Sequence, residues 1–120
     1  MLVLDFEANC LENEKITPQE IVEFPVIPIC THNNNETIKN FRYFIKPEIK
    51  KLTPFCTQLT GITKEQVNSG ISLKEALDKF KQYLIDNSLN DEDVCFITCG
   101  DWDLKTCLKN ECEYKKIFVD

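Results

Sequence analysis

The sequence is short of the residues that build soft-metal sites. It has one histidine, His32, in 120 residues, and its seven cysteines form no Cys-x-x-Cys pair. One imidazole and no paired ligand spacing argue against a structural zinc centre. The odd cysteine count and the lack of a secretion signal point to reduced thiols in an intracellular protein, cytoplasmic or nuclear. Most of these cysteines read as small buried hydrophobes. No apolar run approaches the roughly 18 residues that a membrane helix needs, so no membrane role is expected. Positive charge is also in deficit: 14 Lys+Arg against 20 Asp+Glu leave a net charge of −6. That argues against broad electrostatic capture of nucleic acid. A local site survives the argument, because acids that hold a divalent cation reverse the field there. What is present is ordinary globular composition, 42% hydrophobic and 28% charged, in a length that suits one domain.

Hydrophobic patterning gives the order of elements. Residues 2–7 are rich in strand formers. Residues 19–30 form a second strand candidate, where Pro25 and Pro28 remove two backbone donors and suggest an edge position or a bulge. The turn-forming run His32-Asn33-Asn34-Asn35 separates it from a third strand over 36–46, so these two strands should make a hairpin. Thr53 to Gly61 has an N-cap, a proline at the first helical position and a closing glycine, which reads as a short helix. Thr63 to Gln66 is a capping-box pattern. Ser72 caps a longer helix to about Asp86, with Leu73, Ala76, Leu77, Phe80, Tyr83 and Leu84 on one face. Residues 94–98 read as a fourth strand and 102–111 as a last helix. The pattern is α/β, with a mixed sheet whose first three strands are antiparallel and whose fourth lies parallel to the first after a helical crossover.

The acids carry the chemistry. Asp5 and Glu7 are two apart on the first strand and so share a face. From pattern alone they read equally as metal ligands or as two solvated acids at a strand end. Asp101 and Asp103 flank Trp102 just after the fourth strand, whose carboxyl end would bring one of them near Asp5 and Glu7. Asp101 suits a helix N-cap, and Asp103 is the better ligand candidate. Three carboxylates without nitrogen or sulfur favour Mg2+ or Mn2+.

Four blocks together resemble one family. Asp5-Phe6-Glu7-Ala8-Asn9-Cys10 is similar to the D-F-E-A-T-C opening of the Eri-type (histone-mRNA 3′ exonuclease-like) 3′–5′ exoribonucleases, DEDDh enzymes with a ribonuclease H-like fold. Glu20 to Pro25 resembles their E-I-I-E-F-P strand, and Phe55 to Ile62 their F-C-x-x-L-T-G-I block. Thr98 to Leu104 resembles the second acidic block. The resemblance implies that Asp5, Glu7 and Asp103 are catalytic metal ligands for two Mg2+ or Mn2+ ions. It implies that Phe6, Ala8, Phe55, Leu59, Thr60 and Trp102 meet the 3′-terminal nucleotides of single-stranded RNA, with Leu59 and Trp102 sandwiching the last base. The products would be nucleoside 5′-monophosphates, released one at a time from a free 3′ end. The chain departs from the family in two ways. Asn9 replaces the motif threonine. The third motif, a histidine general base followed five residues later by an aspartate, belongs several dozen residues past the second acidic block, and His32 is in the wrong order to replace it. The expectation is therefore that residues 1–120 are the N-terminal two-thirds of an exonuclease domain. A missing C-terminal segment or a partner chain would then cover the sheet. The alternative is a catalytically inactive relative that binds RNA or a protein.

Overall fold

The computed structural model describes residues 2–14, 16, 18–28, 39–87, 96–97 and 107–115. The strands are β1 (Leu2–Leu4), β2 (Glu7–Ala8), β3 (Ile21–Pro28), β4 (Phe41–Phe44) and β5 (Phe96–Ile97). The helices are α1 (Pro54–Thr60), α2 (Lys64–Asn68), α3 (Leu73–Asp86) and α4 (Lys109–Lys115). The sheet runs β2-β3-β1-β5, with β4 on the other side of β3. β1, β2 and β4 are antiparallel to β3, and β5 is parallel to β1, as the element order predicts.

The prolines did not send β3 to the edge. It is paired along both sides, with β1 and β2 on one and β4 on the other. The effect of Pro25 is local. Ile45 N–H donates to Val22 O at 2.8 Å, so even-numbered residues of β3 bond toward β4 and odd-numbered ones toward β1 and β2. Pro25 therefore turns its missing donor toward the first strand. Leu2 to Leu4 and Glu7 keep one register against β3, which puts Asp5 opposite Pro25. There the first strand is interrupted, giving β1 and β2 in place of one strand over 2–7.

A bulge follows at once. Glu7 faces Glu23 but Ala8 faces Ile21, so Val22 is the extra residue. The shift lets Ile21 and Phe24, three apart, serve the same core. That core lies between the sheet and the apolar faces of α3 and α4. It contains Leu2, Leu4, Phe6, Phe41 and Ile45, with Leu73, Ala76 and Phe80 from α3 and Cys112 from α4. The rings of Phe24, Phe41 and Phe80 lie 5.2–5.4 Å apart. A second, smaller core of Val22, Leu52, Cys56, Ile62 and Val67 seats α1 and α2.

The helix signals were local and accurate. Thr53 caps α1 by accepting from Cys56 N–H, Pro54 opens it, and Gly61 closes it in the left-handed conformation at φ 80°. Thr63 and Gln66 form a complete capping box. Ser72 caps α3 by accepting from Glu75 N–H. The helix expected over 102–111 is described from Cys107, as a π turn at 107–108 that leads into α4, and it runs on to Lys115. The turn at 32–35 lies outside the described residues.

Candidate active site

The first strand alternates strictly until the bulge. Leu4, Phe6 and Ala8 are buried, Asp5 is exposed and Glu7 is half-buried. The two acids thus share the face opposite the larger core. Cross-strand neighbours share a face, so Glu7, its partner Glu23 and the next partner Phe44 all point the same way. Phe44 packs on the core that holds α1 and α2. Asp5 and Glu7 therefore lie on the side of the sheet that carries α1.

Carboxylates of Glu7 and Glu23 side by side repel unless compensated. Arg42, from β4, donates to Glu23 at 2.6 Å and spreads its guanidinium over the Phe44 ring at 4.8 Å. Sequence reasoning missed Glu23 and Arg42, because only the sheet register brings them beside the first motif.

The expected substrate contacts divide. Leu59 is 66% exposed at the end of α1, a large apolar side chain open to solvent. Phe55, one turn earlier, is half-buried. The Thr60 hydroxyl donates to Cys56 O at 2.7 Å and accepts from Ile62 N–H at 3.1 Å, so it serves the end of the helix. Ala8 is buried, and its carbonyl accepts the Cys56 thiol proton at 3.5 Å. The Phe6 ring is 3% exposed and packs edge-on to Phe24 at 4.7 Å. The alternation that turns Asp5 outward turns the Phe6 ring into the core. Asp101, Trp102 and Asp103 lie outside the described residues.

Among the described residues no group of three or more His, Cys, Asp or Glu side chains is placed to hold a metal ion. Asp5 and Glu7 offer two carboxylate donors, hard oxygens suited to Mg2+ or Mn2+. Two of the described thiols do not compete. Burial, with Cys10 alongside, pushes Cys56 up to about 11, and burial with Glu111 nearby pushes Cys112 up to about 11. Both stay protonated at neutral pH and are poor metal ligands.

A buried charged cluster ties α4 and the 48–50 loop to the start of β3. Glu20 is 1% exposed and accepts from the N–H groups of Glu48, Ile49 and Lys50 at 2.7, 3.1 and 3.0 Å. Lys115 Nζ lies 3.0 Å from Glu20 and 2.7 Å from Glu111, which is also 1% exposed. Glu111 Oε1 accepts Ile21 N–H at 2.5 Å, next to the bulge where the ladder shifts. Burial works to raise the Glu20 carboxyl, but the loop N–H groups and Lys115 outweigh it and hold it below the usual carboxylate range. For Glu111 burial prevails and its carboxyl is raised. The two carboxylates overcome the burial of Lys115 and raise its ammonium.

An interrupted first strand bearing two outward acids, in a mixed sheet with a parallel fifth strand, is the frame of a nuclease. Residues 2–120 match the family described as Exonuclease (RNase_T), and the chain belongs to that family. More narrowly, it is 41% identical over 116 residues to human ERI1 exoribonuclease 3, covering 94% of this chain and 34% of that protein. It is 33% identical over 118 residues to rat 3′-5′ exoribonuclease 1, covering 96% of this chain and 34% of that protein. The structure superposes on the nuclease domain of 3′hExo, a DEDDh family member bound to rAMP. The TM-score is 0.86 at 31% identity, over 98% of this chain and 60% of that one. The α/β fold expected from the sequence is thus that of DEDDh nucleases. The chain spans about a third of the length of the human and rat relatives.

Proposed function

We propose that this chain carries the first part of a metal-dependent 3′–5′ exoribonuclease site, acting on single-stranded RNA with a free 3′ hydroxyl. The observation that carries the reading is the placement of Asp5 and Glu7 on the α1 side of the sheet, within a chain of the exonuclease family. The solved relatives include one described as recognising the 3′ end of a histone mRNA stem-loop, which supports an RNA end as the substrate class. Asp5 and Glu7, with Asp103, would hold divalent ions. When bound, such ions supply activation of water and neutralisation of charge on the leaving 3′ oxygen. The chain's own residues do the rest. Leu59 offers an apolar surface on which a terminal base packs, and Trp102 is assigned its other face. Phe55 lies one turn behind Leu59 and is assigned the neighbouring nucleotide. Ala8 and Thr60 shape the backbone around the terminal sugar. Residues 1–120 would belong to one exonuclease domain, whose family site is completed by the histidine and last aspartate of the third motif.

The test is incubation of a form extended through the third motif with 5′-labelled single-stranded RNA and Mg2+. Stepwise shortening from the 3′ end with release of nucleoside 5′-monophosphates is expected, abolished by chelation and by Asp5→Asn or Glu7→Gln. Metal held by the fold should also raise the melting temperature with Mn2+ concentration, and the same substitutions should remove that shift. RNA binding without shortening would identify a non-catalytic relative. Neither binding nor a metal-dependent shift would end the nuclease reading.

A further inference from the structure

We propose that Asn9 is a positioning residue that fixes α1, and with it Leu59, against the strand bearing Asp5 and Glu7; the inference rests on the proposed exonuclease function. Asn9 is fully buried at 0% exposure, and each of its four polar groups is engaged. Its backbone N–H donates to Glu20 O at 2.8 Å, and its carbonyl accepts from Gln19 Nε2 at 3.2 Å. Its side chain spans a gap in sequence of more than forty residues. Nδ2 donates to Lys51 O at 3.0 Å, while Oδ1 accepts Thr53 N–H at 3.0 Å. The partners fix the orientation of the amide, since a backbone carbonyl can only accept and a backbone N–H can only donate. Thr53 is the N-cap of α1, and its hydroxyl donates to Cys10 O while accepting Cys56 N–H. The Cys56 thiol closes the clip on Ala8 O. The first turn of α1 is thus tied to three successive residues, Ala8, Asn9 and Cys10, directly after Glu7. A helix so anchored holds Leu59, on its far turn, at a fixed distance from the acids. A side chain with one donor and one acceptor on separate atoms is required for the bridge. Aspartate would set a carboxylate against Lys51 O, and alanine would leave both backbone groups buried and unpaired.

A positioning role differs from a purely structural one in what it moves. The experiment measures two affinities by titration for the wild type and for Asn9→Ala. One is for a short single-stranded RNA with a 3′ hydroxyl, in Ca2+ and at fixed ionic strength. The other is for Mn2+ alone. Misplacement of α1 should weaken RNA binding about tenfold or more, since small displacements of binding groups have large effects. Mn2+ affinity, set by the acids, should change less than about twofold on the same argument. Asn9→Gln, which keeps the amide on a longer stem, should recover part of the RNA affinity. If Asn9→Ala does not fold, Thr53→Ala removes the hydroxyl tie to Cys10, leaves Asn9 in place and should show the same split. Equal RNA affinity in folded variant and wild type would overturn the proposal, and so would parallel loss of RNA and Mn2+. A wild type that binds neither ligand would instead remove the nuclease reading on which the proposal rests.

Discussion

At the scale of single residues, the charge accounting of this molecule turns on Lys115. One ammonium faces two nearly inaccessible carboxylates, Glu20 and Glu111. Replacing Lys115 with methionine keeps the volume and leaves both acids without their cation. Removing one partner from a buried ionic group typically costs about 3–5 kcal/mol, and chemical denaturation should register a loss of that order. The pH dependence has a definite sign. The Lys115 value is raised in the folded state, so its stabilisation is complete below the ordinary lysine range and is lost as pH rises through the raised value. Wild-type stability should therefore fall on the alkaline side by more than that of Lys115→Met. Glu20, held low, works at the other end: its contribution is present above the ordinary carboxylate range and fades as pH drops through its depressed value. Glu111, held high, opposes it there. None of the three could be singled out from sequence. Glu20 lies inside a recognised strand motif without a role, and nothing in the spacing of Glu111 and Lys115 announces a partner about 90 residues earlier.

At the scale of elements, what is local proved legible and what depends on pairing did not. The caps of α1, α2 and α3 are written in Thr53, Thr63 and Ser72, because each signal acts within four residues. The placement of β3 was not, because a proline reports which donor is missing and not which neighbour lies opposite. The same limit hid Glu23 beside Glu7. Another such junction joins α2 to the sheet. Ile71 N–H donates to Phe44 O at 3.1 Å, and Lys46 N–H donates to Ile71 O at 2.8 Å. For this crossing the backbone at Gly70 comes so near that an added Cβ would sit 2.3 Å from Phe44 O. Backbone cannot swing aside as a flexible side chain can. Gly70→Ala should therefore destabilise by about 1–3 kcal/mol, read from urea midpoints at unchanged slope.

At the scale of the whole molecule, sequence blocks conveyed the family and the likeness in fold, while the site itself was legible only in outline. The pairing of Asp5 with Glu7 on one face follows from a period of two, and the structure keeps that alternation. The side of the sheet they face, and α1 standing on it, needed the register. The inward turn of the Phe6 ring needed the core. Asn9 looked like a mild change of one polar residue for another until its amide was seen to span from Lys51 to Thr53.

The buried N–H of Ile21 has a bearing on how the chain comes to be assembled. Its acceptor belongs to residue 111, and the counter-ion of Glu20 to residue 115. A nascent polypeptide that has not yet presented α4 would hold an orphan amide and an acid without its cation in its half-built interior. Folding should therefore wait until α4 has been made, as a topology rich in distant contacts demands. A form ending at residue 106 should be digested rapidly by protease under conditions in which the 120-residue chain resists. Equal resistance of the two would show that the sheet closes without help from α4.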